Sequence, residues 1–118
     1  MVMDKRNNLI EQFVHFWNER PTDEHQDFYD EDVELVSTLI NRTLIDSSGK
    51  INGKSTVLSY WHLIKSKYPD VKMNLLNTFF TDNDVLIHCT MPPLSDKVLG
   101  LISLNKEGKI VKFKLSHV

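Results

Sequence analysis

From residue 71 to its end the chain holds four strand-like segments on very short links. "VKMNLLNTFF", "VLIHCTM", "VLGLISL" and "KIVKFKLSHV" are separated by "TDND", "PPLSDK" and "NKEG". Links this short only allow neighbouring strands to run antiparallel. The spacing therefore predicts a meander, and a meander that is apolar on one side needs a second layer to cover it.

The first part of the chain supplies that layer. Residues 5–19 read as a helix, with Asp4 as a cap, Pro21 just beyond its end, and Leu9, Ile10, Phe13, Phe16 and Trp17 as one apolar stripe. Thr22 caps a short second helix, "DEHQDFY", whose acidic residues suit a helix start. "DVELVSTLI" predicts a strand over 32–39, "NRTLID" a return strand, and "SSGKINGK" a turn-rich loop. Residues 54–67 predict a third helix stopped by Pro69, with Val57, Trp61, Ile64 and Tyr68 on its inner face. The expectation is an α+β fold. One domain spans 1–118, with three N-terminal helices packed on a mostly antiparallel sheet.

Bulk numbers narrow the partners. With 14 Lys and Arg against 16 Asp and Glu, net charge −2, and no basic run longer than two residues, the chain lacks what neutralises phosphates. Neither nucleic acid nor an anionic membrane surface is an expected partner. A single cysteine forms no internal disulfide and no cysteine zinc site, and no metal is expected. The first residues lack an uninterrupted apolar core, so they do not read as a signal peptide, and the expected location is cytoplasmic.

Strand register sorts the side chains by face. A two-residue turn at Asp82-Asn83 pairs Phe80 with Val85 and sets Asn77 opposite His88. A bulged hairpin at "NKEG" pairs Asn105 with Lys109 and sets Leu101 opposite Phe113. Pairing Met91 with Val98 then sets His88 opposite Leu101. One face carries Met73, Leu75, Asn77, Phe79, Leu86, His88, Thr90, Leu99, Leu101, Ser103, Val111, Phe113, Leu115 and His117. It is uncharged and rich in large apolar groups, so it is expected under the helices. The other face, with Val85, Ile87, Cys89, Ile102, Lys112 and Lys114 among its residues, is expected to stand open as a dimer surface. His88 and the neighbouring Cys89 fall on opposite sides, so they cannot share a metal.

The element order, with "FYDEDVEL" entering the first strand, "GKINGKSTVLSYW" entering the helix over 54–67, and "GKIVKFKLSHV" as the last strand, resembles the nuclear transport factor 2-like superfamily, including SnoaL-like proteins. The resemblance implies a strongly curved sheet that wraps the helices into a cone with a pocket at its open end, and dimerisation through the outer sheet face. That superfamily hosts isomerases, dehydratases, cyclases, epoxide hydrolases, binders and non-catalytic interaction domains, and fold does not choose among them. Its steroid isomerases carry a catalytic Asp eight residues after a tyrosine like Tyr29, where this chain has Ser37; their oxyanion tyrosine falls near Phe13. Serine and phenylalanine provide neither the base nor the donor of that reaction.

The candidate chemistry centres on His88. It is either a proton-transfer group oriented by Asn77 on a concave face, or a core histidine whose hydrogen bonds are satisfied. Phe13, Trp17, Tyr60 and Trp61 either line a pocket for a flat apolar molecule or are plain core, with polar handles on Trp17 and Tyr60. Ser37, Asn77, Phe79, Thr90, Leu101, Ser103, Phe113 and His117 complete the expected ligand-binding set. "GKINGKS" approaches a phosphate loop, but three residues separate its glycines where four are needed, and it reads better as a turn into a helix. Two functions are open. One is a small-molecule binder, possible as an isomerase, dehydratase or hydrolase through His88, with no cofactor. The other is a non-catalytic dimeric domain whose hollow is filled by its own side chains.

Overall fold

The computed structural model describes residues 5–19, 27–37, 49–92 and 94–117, without the side chains of Lys5 and His117. Among these residues lie two helices, α1 (Lys5–Glu19) and α2 (Lys54–Lys67). Six strands accompany them: β1 (Tyr29–Ser37), β2 (Lys50–Asn52), β3 (Asn74–Phe80), β4 (Asp84–Met91), β5 (Ser95–Leu104) and β6 (Ile110–His117). The fold is α+β. The expected second helix and the "NRTLID" strand fall largely or wholly outside the described residues. Tyr29, expected at that helix's end, opens β1 instead.

The strands form one sheet in the order β2-β1-β6-β5-β4-β3. Every pairing is antiparallel except β1 with β6, which is parallel. The expected strong curl into a cone is replaced by an open layer with β2 and β3 as its edges. β2 occupies part of the expected turn-rich loop. Its three residues sit between Gly49 and Gly53, whose φ values of 83° and 97° are the left-handed turns only glycine takes readily. Val57 N–H donates to the Gly53 carbonyl, which starts α2.

The helices are fastened to the sheet at named points. Arg6, at the start of α1, donates to the Thr81 carbonyl at 2.6 Å, and its guanidinium sits 5.0 Å from the Phe80 ring centre. At the other end, the Asn18 amide donates to the Met73 carbonyl (2.9 Å) and accepts from Met73 N–H (2.7 Å). α1 is thus pinned at both ends of β3. Between the layers, Phe13, Trp17, Trp61 and Phe113 are fully buried, and their rings meet edge-on or tilted at 5.4–6.4 Å. No helix among the described residues is long and apolar enough to cross a membrane.

Candidate functional site

Two single-residue bulges decide which side chains share a face. On β3, Leu75 pairs with Cys89 and Asn77 with His88, so Leu76 is the extra residue. On β6, Leu104 pairs with Ile110 and Ser103 with Lys112, so Val111 is extra. The expected hairpin closure holds, with Asn105 N–H donating to the Lys109 carbonyl. Beyond Val111, however, Ile102 rather than Leu101 meets Phe113, and Leu101 meets Lys114. A bulge moves all later residues to the other face. Between β4 and β5 the pairing differs from expectation by two residues: Val98 faces Cys89 and Leu99 faces His88. A shift of two changes no side.

The face assignment is therefore corrected. Phe113 and Leu115 keep their expected place under the helices. Beside them are Val85, Ile87, Cys89, Ile102 and Gly100, all buried and none from the expected covered set. Cross-strand rows run Phe80–Val85–Ile102–Phe113–Leu35 and Thr78–Ile87–Gly100–Leu115–Ser37. Gly100 is required in that layer. A Cβ there would lie 2.8 Å from Ile87 Cγ1 and 3.2 Å from Phe113 Cε1.

His88 stands on the opposite, uncovered face, flanked by Asn77 on β3 and Leu99 on β5. The Asn77 amide lies 3.5 Å from its Nδ1, at the outer limit of a hydrogen bond. The expected concave setting for a proton-transfer imidazole is overturned by this placement. The covered layer holds Phe13, Trp17, Ser37, Tyr60, Trp61 and Phe113 of the expected ligand set. Asn77, Phe79, Thr90, Leu101 and Ser103 share the open face with His88. The backbone of His117 pairs with Val98, and its side chain lies outside the described residues. The expected set is thus split in two by the sheet.

The covered side carries few polar groups. Trp61 Nε1–H donates to the Tyr29 hydroxyl at 2.9 Å. Burial holds the Tyr29 phenol well above its ordinary range, only partly offset by that bond. Burial also raises the Cys89 thiol to about 11, so it is a packing residue and not a reactive one. The Trp17 indole N–H is buried without an acceptor among the described residues. Lys65 spans 4.3 Å to the Trp17 ring and donates to the Asn18 and Val71 carbonyls; burial, then repulsion from Lys72, lowers its pKa, against an opposing pull from Glu19. A cavity of about 230 Å³ lies against α2 and β2, lined by Ile51, Thr56, Ser59, Tyr60 and Leu63.

The open face shows Phe79, Leu86 and Leu99, which the sequence register places under the helices, and Leu76, which it places outside, is exposed as well. Leu76 is 54% exposed, Phe79 57%, Leu86 38% and Leu99 39%. These are the large exposed hydrophobics among the described residues, and all four lie on β3, β4 and β5. Leu86 and Leu99 were not among the expected site residues; only the bulges, which leave no compositional mark, separate them from core leucines. Glu34 lies toward one margin of this face and pairs with Lys50 (3.3 Å) and Lys112 (3.8 Å). Among the described residues no three metal-ligating side chains converge.

Solved structures with this arrangement cover nearly the whole chain. A SnoaL-like protein of unknown function from Burkholderia thailandensis E264 has a TM-score of 0.85 at 19% identity, over 99% of each chain. The chain has the SnoaL-like fold. A candidate isomerase of the SnoaL-like family from Agrobacterium tumefaciens C58 superposes with a TM-score of 0.77 at 16% identity, covering 98% of this chain and 99% of that one. A candidate polyketide cyclase from Sinorhizobium meliloti gives 0.75 at 11% identity, over 96% and 99%. No family model and no curated protein matches the sequence. Proteins with this fold thus include candidate isomerases and polyketide cyclases, while identities this low speak for the fold alone.

Proposed function

We propose that this chain is a non-catalytic, dimeric binding domain of SnoaL-like fold whose working surface is the open sheet face. The observation that carries this reading is the set of exposed large apolar side chains Phe79, Leu86 and Leu99 on that one face, with Leu76 exposed at the adjoining β3 bulge. Monomers rarely expose a contiguous apolar patch of this kind. The filled interior supports the same reading, because Trp17, Trp61, Phe13 and Phe113 occupy the space where a deep ligand would sit.

A second copy of the chain is the occupant that fits. Charge on the patch is low at its centre and of both signs toward its margins, with Lys112, Glu34 and Lys50 on one side and Asp84 on another. A twofold contact can therefore match opposite signs, and a net charge of −2 per copy opposes it only weakly. Four strands at about 4.8 Å spacing and roughly 25 Å length offer about 500 Å² per copy, or about 1,000 Å² for a pair, the lower bound of a specific interface. Sedimentation equilibrium at pH 8 tests the reading. The wild type is expected as a dimer and Phe79→Glu as a folded monomer; a monomeric wild type at tens of micromolar contradicts it.

One observation favours a second reading, a small apolar or aromatic ligand on the helix side. The 230 Å³ cavity beside Tyr60 is lined almost wholly by apolar atoms and is large enough for one or two fused rings. 2-Naphthol fluorescence would report such binding. Saturable binding that is lost in Leu63→Trp, which fills the cavity, supports this reading; equal response in both proteins rejects it.

A further inference from the structure

His88 occupies the middle of the open apolar face. Leu99 is its cross-strand neighbour on β5 and Asn77 its neighbour on β3, while Leu86 and Thr90 lie two residues away on its own strand. Leu76 and Phe79 flank Asn77. A twofold-symmetric contact between two copies brings the centre of each patch close to the axis. From this placement we infer that the dimer is a pH-gated assembly, closed when His88 is neutral and opened when it is protonated. The inference rests on the dimer reading above.

The sign follows from the surroundings. Histidine is the side chain whose ordinary charge change falls between about pH 5 and 8. In the separate chain the imidazole is half-buried and in reach of water. In the dimer it would lie among leucine side chains from both copies, where burial favours the uncharged form. Two imidazoles close to one axis would also repel when both are charged. Among the described residues no carboxylate stands beside His88 on β3 or β5. On the other strands of this face the charged groups among the described residues are, by alternation, Lys97 on β5, then Lys112 and Lys114 on β6, and, farther off, Glu34 on β1, which forms ion pairs with Lys112 and with Lys50 on β2. On β4 itself Asp84 is four residues away. Among the described residues no helix packs over the face. The dimer therefore holds fewer protons than two separate chains, and acid shifts the equilibrium toward separation.

Sedimentation equilibrium at pH 8.0 and pH 5.5, on the wild type, His88→Gln and His88→Lys, tests this. The wild-type dimer is expected to dissociate with a Kd on the order of 100-fold higher at pH 5.5. His88→Gln keeps a polar side chain that does not titrate, so it is expected to remain dimeric at both pH values. His88→Lys carries the charge permanently and is expected as a folded monomer at pH 8.0, with folding checked by circular dichroism. Because His15 and His62 stay in place on the helices in every variant, a wild-type response that survives in His88→Gln overturns the inference. A wild-type dimer with equal Kd at both pH values also overturns it, yet leaves the dimer reading standing. A wild type that is monomeric at pH 8.0 overturns both.

Discussion

Ile87 and His88 adjoin on β4, and Leu99 and Gly100 adjoin on β5. Ile87 and Gly100 are buried beneath the helices, while Leu99 is 39% exposed and His88 half-buried on the other side. The covered face is uncharged, closely packed and shaped around Gly100, where even one methyl group meets Ile87 and Phe113. The open face is equally rich in leucine and phenylalanine, but none of the described residues covers it. Hydrophobicity alone therefore does not mark the core of this sheet. What separates the faces is which one α1 and α2 can reach, and the bulges at Leu76 and Val111 determine that.

Substitutions should expose the contrast most strongly on the covered side. Phe113→Ala removes a ring that touches both Phe13 and Trp61. It is expected to cost about 3–5 kcal/mol in urea unfolding. If Phe113→Ala costs no more than Phe79→Ala measured under conditions that keep both monomeric, the faces do not differ as described. Gly100→Ala comes next. Its added methyl forces Ile87 and Phe113 to move, and a loss of about 1–3 kcal/mol is expected. A neutral Gly100→Ala would mean the two layers are looser than their geometry.

Alkali should produce a smaller effect, and only through the covered face. Burial holds protons on the Cys89 thiol up to about pH 11 and on the Tyr29 phenol well above its ordinary range. The unfolded chain releases both protons earlier. Above about pH 9 the native state therefore binds more protons than the unfolded one, and stability falls as pH rises. Melting temperature followed from pH 8 to pH 11 should decline, and the slope should lessen in Cys89→Ala. The same thiol should resist Ellman's reagent at pH 8 until the protein unfolds. Prompt native-state reaction would place Cys89 elsewhere.

The helical layer and the hairpins were legible in the sequence because their signals are redundant. Over 5–19 and 54–67 the apolar spacing and the flanking prolines agree, and the structure ends both helices at those residues. "TDND" sets Phe80 against Val85 and Asn77 against His88, as the turn length requires. The faces were not legible, because a bulge adds one ordinary residue and reverses everything after it. Leu76 and Val111 look like any other strand residues. Counting large apolar groups then favoured the face that carries Phe79, Leu86, Leu99 and Leu101, and His88 followed them to the wrong side of the sheet. β2 was hidden for another reason: three residues between two glycines are too few to show a strand period. The candidate site was thus half visible, with its covered aromatics named and its open patch mistaken for core.

The most direct test uses two adjacent residues on β4, Leu86 and Ile87. Leu86→Glu places a carboxylate on the open face, whereas Ile87→Glu places one beneath the helices. Urea unfolding of the two variants should differ sharply. Leu86→Glu is expected to leave folding within about 0.5 kcal/mol of the wild-type monomer. Ile87→Glu, which buries a charge with no partner, is expected to lose at least about 3 kcal/mol or fail to fold. Equal losses at the two positions, or a larger loss at Leu86, would contradict the account of a sheet with one covered and one open face.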